Sequence, residues 1–97
     1  MSHYVYILAN RPHGAIYIGT ARHLHQRMKQ HRTGSVRGYA RRYNISQLVW
    51  FERHETTVDA LHRERRLKRR RREWKDELIE SKNPEWSDMM EQIPYDN

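Results

Sequence analysis

Two short apolar runs open the chain, His3–Ala9 (HYVYILA) and residues 15–19 (AIYIG), parted by the turn-prone stretch Asn10-Arg11-Pro12-His13-Gly14. Runs of this length, rich in Tyr, Val and Ile and bounded by Pro and Gly, predict two strands joined as an antiparallel hairpin. Positions whose numbers sum to about 24 then face one another. That sets Tyr6 across from Tyr17 or its neighbour, with both rings on one face. Thr20 reads as the N-cap of a helix over residues 21–32, which Gly34 ends. The basic, aromatic stretch 34–44 predicts mostly loop with at most a helical turn. Gln47–His54 (QLVWFERH) alternates as a third strand. Thr56-x-x-Asp59 forms a capping box that opens one long helix reaching about Arg72 or beyond. Pro84 ends any helix through residues 78–81, and residues 85–92 can form a short terminal helix. With no internal repeat and no linker, the pattern predicts one α+β domain over residues 1–97, its core about 3–82 and its acidic end 76–97.

The first helix, drawn as a wheel, has Ala21, Leu24 and Met28 on its buried stripe. His31 lies within about 20° of Leu24 and Arg27 about 60° from it by the helical period. Both therefore sit at the edge where helix meets sheet. A snorkelling arginine and a hydrogen-bonded histidine account for them, and so does a polar site. In the second helix Ala60, Leu61, Leu67 and Trp74 mark the buried face, and Glu64 stands inside it. A carboxylate there needs a partner. Lys68 at i+4 or Arg63 supplies one reading, while a metal ligand or a general base at a cleft wall supplies the other.

Charge narrows the choice. Residues 1–75 hold 18 of the 19 Lys and Arg but 5 of the 12 acids, and residues 76–97 hold seven acids and one lysine. Arginine supplies 15 of the basic residues, and its planar fork suits phosphate. A basic body with an acidic end implies a polyanion, nucleic acid before any anionic membrane surface. The run Arg63, Arg65, Arg66 and Lys68 to Arg72 is either a solvated face or a phosphate-binding one. There is no cysteine, which excludes disulfides and thiolate metal sites and fits a reducing, cytoplasmic setting. No apolar run is long enough to span a membrane. The histidines do not build a zinc site: His23 and His25, two apart, point away from one another on a helix.

Five segments in order give the chain a resemblance to the GIY-YIG nuclease superfamily, in particular to its small single-domain bacterial members. They are Tyr4-Val5-Tyr6 with Tyr17-Ile18-Gly19, then residues 24–31 (LHQRMKQH), 48–52 (LVWFE), 60–68 (ALHRERRLK) and 83–88 (NPEWSD). The resemblance implies a three-stranded antiparallel sheet flanked by helices and a metal-dependent endonuclease acting on DNA more than RNA. By the same resemblance Tyr17 is the general base with Tyr6 beside it, and Arg27 stabilises charge on the phosphate. His31 completes the hydrogen-bond network, and Glu64 holds one divalent ion, Mg²⁺ or Mn²⁺. Tyr39 or Tyr43 can serve the site, Tyr43 being preferred. Asn83 stands farther from Glu64 than the family asparagine usually does. Arg41, Arg42, Arg63, Arg66, Lys68, Arg70 and Arg71 are the expected nucleic-acid contacts. The rival expectation is a non-catalytic DNA- or RNA-binding module that keeps the fold.

Overall fold

The computed structural model describes residues 2–34 and 38–94. Its elements are β1 (His3–Ala9), β2 (Ile16–Ala21), α1 (Leu24–Arg32), α2 (Tyr39–Arg42), β3 (Gln47–His54), α3 (Thr57–Arg69), α4 (Arg72–Lys82) and a closing 3₁₀ turn η1 (Met90–Gln92). The sheet is three-stranded and antiparallel, in the order β2-β1-β3. The flanking helices complete the expected α+β architecture. Among the described residues no helix is long and apolar enough to cross a membrane.

Central strand β1 is buried from Tyr4 to Ala9, so its two faces feed two cores. Tyr4, Tyr6 and Leu8 pack with Leu24 and Met28 of α1, Ala40 of α2, Ile45, Met89 and Ile93. Val5, Ile7 and Ala9 pack with Ala60 and Leu67 of α3, Ile79 of α4 and Trp86. Period-two alternation in a strand buried on both sides produces this division. A bulge between Ile7 and Leu8 shifts the register against β3, pairing Ile7 with Trp50 but Leu8 with Leu48. Val49 is the extra residue. It turns the same way as Trp50, into the second core, so the even alternation expected of β3 breaks there.

Two boundaries differ from expectation. Strand β2 runs on through Thr20 and Ala21, which pair with Val5 and Tyr4. Thr20 is therefore a ladder residue, and the N-cap of α1 is His23 without a side-chain cap bond. A β-branched Thr opposite Val is better placed in a ladder than at a cap. The expected long helix is two helices: α3 stops at Arg69, and Arg70 and Arg71 are both extended, with ψ of 154° and 156°. A straight helix would have stacked the basic run 68–72 along successive turns; the corner splays it. The corner also lets Trp74, Leu78 and Ile79 fold back against Trp50 and Trp86. At the other end of α3 the expected Thr56 N-cap forms, its hydroxyl accepting from the Asp59 N–H at 3.1 Å.

Past α4 the chain is tied to β3 by side chains. Asn83, buried, donates from Nδ2 to the carbonyls of Val49 (3.0 Å) and Ser87 (2.8 Å), while its Oδ1 accepts from the Ser87 N–H and hydroxyl, both at 3.1 Å. Asp88 accepts from the Leu48 N–H at 3.2 Å and from Arg32 at 2.6 Å. Replacing Asn83 by Ala leaves a buried carbonyl of the bulged strand without its donor. Denaturant titration of Asn83→Ala is expected to show a loss of about 2 kcal/mol, against a few tenths for exposed Glu85→Ala.

Candidate nuclease site

Tyr6 and Tyr17 are not directly opposite. The register pairs Tyr6 with Gly19 and Leu8 with Tyr17, so the tyrosines are diagonal neighbours on one face of the hairpin, their ring centroids 6.3 Å apart. Gly19 creates the room between them. A Cβ at position 19 would stand 2.7 Å from Tyr6 Oη, 2.8 Å from its Cζ and 3.0 Å from Cε2 of Tyr17. The buried Tyr6 ring, with the half-buried Tyr17 ring beside it, thus lies over the backbone of β2 where a side chain would otherwise be, a close approach of the kind that a glycine inside a strand marks.

Helix α1 closes this cluster from above. His31 is buried, with its ring centroid 5.9 Å from Tyr6 and 5.5 Å from Tyr17. Its Nε2 lies 3.2 Å from Tyr6 Oη. The direction of that bond follows from the ionisation of both groups. Burial first, then the charge of Arg27, lowers the His31 pKa, so the ring is neutral at physiological pH. Burial, and next the neighbouring Tyr17, raises the Tyr6 pKa far above the ordinary tyrosine value; the Arg27 charge and hydrogen bond lower it, and the Glu64 charge raises it further. Tyr6 therefore keeps its proton and donates it to Nε2, leaving the ring proton on Nδ1. Arg27 donates to the Tyr6 oxygen. Arg27 and His31, four residues apart, thus share the phenol between them, as their wheel positions allow.

Glu64 approaches from around the open edge of β2. Its helix α3 lies over the second core, yet its carboxylate is near enough for its charge to act on Tyr6. The Glu64 side chain is 17% exposed and pairs with Nζ of Lys68, 54% exposed, at 3.4 Å. Lys68 also lines a groove of about 310 Å³ with Ile16, Tyr17, Ile18, Tyr39 and Lys75. The groove runs along the edge strand, and Lys68 links its lining to the Glu64 carboxylate. Glu64 and Lys68 form the expected ion pair, and the pair stands beside Tyr17.

The remaining candidates divide. Tyr39 lines the groove, whereas Tyr43 lies one turn on, exposed, with its ring 5.0 Å from that of Tyr39 and the Arg42 guanidinium 5.7 Å from its own. Arg41, Arg42, Arg66, Arg70 and Arg71 are exposed, Arg70 lying over Trp74 at 4.7 Å. Arg63 is instead drawn inward, its Nε 2.9 Å from Glu52 Oε1 and its guanidinium over Trp50. Asn83 spends its amide on the chain's own carbonyls and is remote in role from the tyrosine cluster. Of the two tyrosines offered by the sequence, the groove is lined by Tyr39 and not by the preferred Tyr43; Gly19 was given no role there, and its signal was a glycine inside a β-rich run.

The neutral pair has a consequence for stability. The folded state disfavours His31 protonation, so the unfolded chain binds more protons once the pH falls below about 6.5, and stability is lost on acidification from there. Tyr6 acts oppositely: stability falls as the pH rises above about 10, where the unfolded tyrosine ionises and the folded one does not. Denaturation midpoints against pH should therefore drop on both sides, and His31→Asn should flatten the acid limb in part, since His3 is also lowered by burial. An unchanged acid limb in His31→Asn would place the charge elsewhere.

Three comparisons bear on this arrangement. Residues 2–77 match the GIY-YIG catalytic domain. A UPF0213 protein of Haloquadratum walsbyi is 36% identical over 78 residues, which is 80% of this chain and 86% of that one. The solution NMR structure of a UPF0213 protein from Bacillus halodurans superposes with a TM-score of 0.53 at 29% identity, over 86% of this chain and 87% of the other. With its paired tyrosines, Gly19, Arg27, His31 and Glu64 inside the matched span, this chain belongs to the GIY-YIG family, a nuclease superfamily.

Proposed function

We propose that the protein is a cytoplasmic, metal-dependent endonuclease that hydrolyses phosphodiester bonds in DNA. The observation that carries this reading is the convergence of Tyr6, Tyr17, Arg27 and His31 on one side of β2 with Glu64 at its open edge. A binding surface has no need of a buried, hydrogen-bonded phenol wedged over a glycine.

The two tyrosines have different tasks. Tyr6 is fully buried and holds its proton, so it serves as a fixed donor. Tyr17 is half-buried and lines the groove, where its oxygen takes the proton of the attacking water while its own hydroxyl proton passes to solvent. Arg27 supplies a positive charge where the phosphate gains negative charge. His31, neutral, fixes the Tyr6 hydroxyl. Glu64 fits a Mg²⁺ or Mn²⁺ ion: it is one oxygen ligand, partly exposed, beside a groove open to water and phosphate. Such ions bind through one or two carboxylates and keep several waters. When bound there, the ion supplies Lewis-acid stabilisation of the phosphate and the leaving oxygen. Water adds to phosphorus, the bond to the 3′ oxygen breaks, and that oxygen takes a proton from solvent. The ends formed are a 5′-phosphate and a 3′-hydroxyl.

Exposed Arg41, Arg42, Arg66, Arg70 and Arg71, with Lys68, supply the phosphate-binding surface; Arg63, paired to Glu52, contributes least. One observation favours the non-catalytic alternative. Lys68 already neutralises Glu64, as a side chain in a pure binding module would.

Cleavage of labelled DNA with Mg²⁺ or Mn²⁺ separates the readings. Glu64→Gln should lower the rate roughly 10²-fold or more while leaving binding in chelator intact, and Tyr17→Phe should behave alike. Wild-type binding without cutting in either metal would favour the module. Gly19→Ala should fold yet cut far more slowly, because the added methyl pushes the Tyr6 ring off His31; near-wild-type cutting would show that the ring position is not critical.

A further inference from the structure

Helix α2 presents two large aromatic side chains to solvent. Tyr39 is 52% exposed and Tyr43 47% exposed, their centroids 5.0 Å apart. Neither is needed to seal the core, because Ala40 is the α2 residue buried in it. Pro-core logic would put polar residues on this outer face. Instead the pair stands beside the groove of Tyr17: Tyr39 forms one wall, Ile16 and Ile18 form another, and Lys68 and Lys75 complete the lining, Lys68 Nζ paired with Glu64 and Lys75 Nζ donating to the Lys68 carbonyl. Arg41 and Arg42 lie on the same helix, Arg42 over the Tyr43 ring at 5.7 Å.

Flat apolar rings bordered by cations fit one occupant best. A nucleobase offers a flat π-face to stack on tyrosine, and the phosphates on either side of it meet lysine and arginine. Inside an intact duplex both faces of each base are covered by neighbouring pairs, so away from the duplex ends only an unpaired base can lie on the ring. We infer that Tyr39, backed by Tyr43, is a stacking platform for an unpaired DNA base next to the scissile phosphate, so that the protein selects strands with single-stranded character over intact duplex. The inference rests on the nuclease reading only for its place beside the scissile phosphate; the stacking itself requires no cutting.

The test is therefore run in chelator, on the full chain. A short fluorescein-labelled oligonucleotide is titrated as a single strand and as a blunt duplex, and a second single strand carries 2-aminopurine as a stacking reporter. Tyr39→Ala is expected to weaken single-strand binding roughly tenfold while changing duplex binding by less than about twofold. It should also abolish the 2-aminopurine quenching seen with the wild type. Tyr39→Phe, which keeps the ring, should restore both. Equal weakening of single strand and duplex, or quenching that survives in Tyr39→Ala, overturns the inference. A parallel incubation with Mg²⁺ keeps the two readings apart. Cleavage together with Tyr39-independent single-strand binding overturns the platform and leaves the nuclease standing. Tyr39-dependent quenching without cleavage in Mg²⁺, or in the Mn²⁺ arm of the cleavage assay above, leaves the platform standing and removes the nuclease.

Discussion

The site depends on the passage of the Tyr6 ring over Gly19. Tyr6 points from the central strand toward α1, and a straight path to His31 takes its hydroxyl across the neighbouring strand. Any side chain at position 19 would fill the space that its Cζ and Oη occupy. Once the ring lies there, the other positions follow. The diagonal neighbour Tyr17 is held against the same gap, His31 accepts the Tyr6 hydrogen bond, and Arg27, one helical turn earlier, meets the Tyr6 oxygen. A buried phenol without partners would be costly; here the cost is offset by two hydrogen bonds, and the bonds orient the groups.

A second constraint is the edge position of β2. Had β2 been the central strand, a further strand would have separated Tyr17 from the helices of the second core. At the edge, side chains from opposite faces of the sheet can meet around one backbone. Glu64 and Lys68 do so from α3, and Tyr39 does so from α2. The open edge is also a hazard, since unpaired strand groups invite pairing with another chain. The lysines of α3 and α4 beside it discourage such pairing.

Much of this was legible in the chain. The hairpin, the third strand, the Thr56–Asp59 cap and the apolar stripe of α1 came from periodicity and turn chemistry, which are local. Arg27, His31 and Glu64 stood out because polar groups on buried faces violate a local rule. What periodicity could not supply was longer in range. The register of β1 against β2 is one position off the expected sum, because it depends on how many residues the loop uses. The break at Arg70 and Arg71 carries no Gly or Pro signal; it is imposed by the packing of Trp74 and Ile79 on Trp86. The same holds for Arg63, one of several like residues in sequence, whose inward turn is set by Glu52 and Trp50 on β3. Asn83 is similar: only the bulge at Val49 and the turn through Trp86, with φ of 56°, create the acceptors its amide meets.

The site also combines two kinds of stiffness. Tyr6, His31 and Gly19 sit in a packed core and have little freedom, whereas Lys68, Arg41 and Arg42 are long, exposed and adaptable. The division follows from what each must do. A proton acceptor has to be placed to within a fraction of an ångström of its target, and only packing achieves that. In the proposed function, phosphates of a nucleic-acid strand arrive in varied positions, and long exposed cations can follow them. Tyr17 stands at the junction, with one side of its ring against the rigid cluster and the other toward the basic groove. The residue best placed for chemistry is thus the one that both halves of the site share.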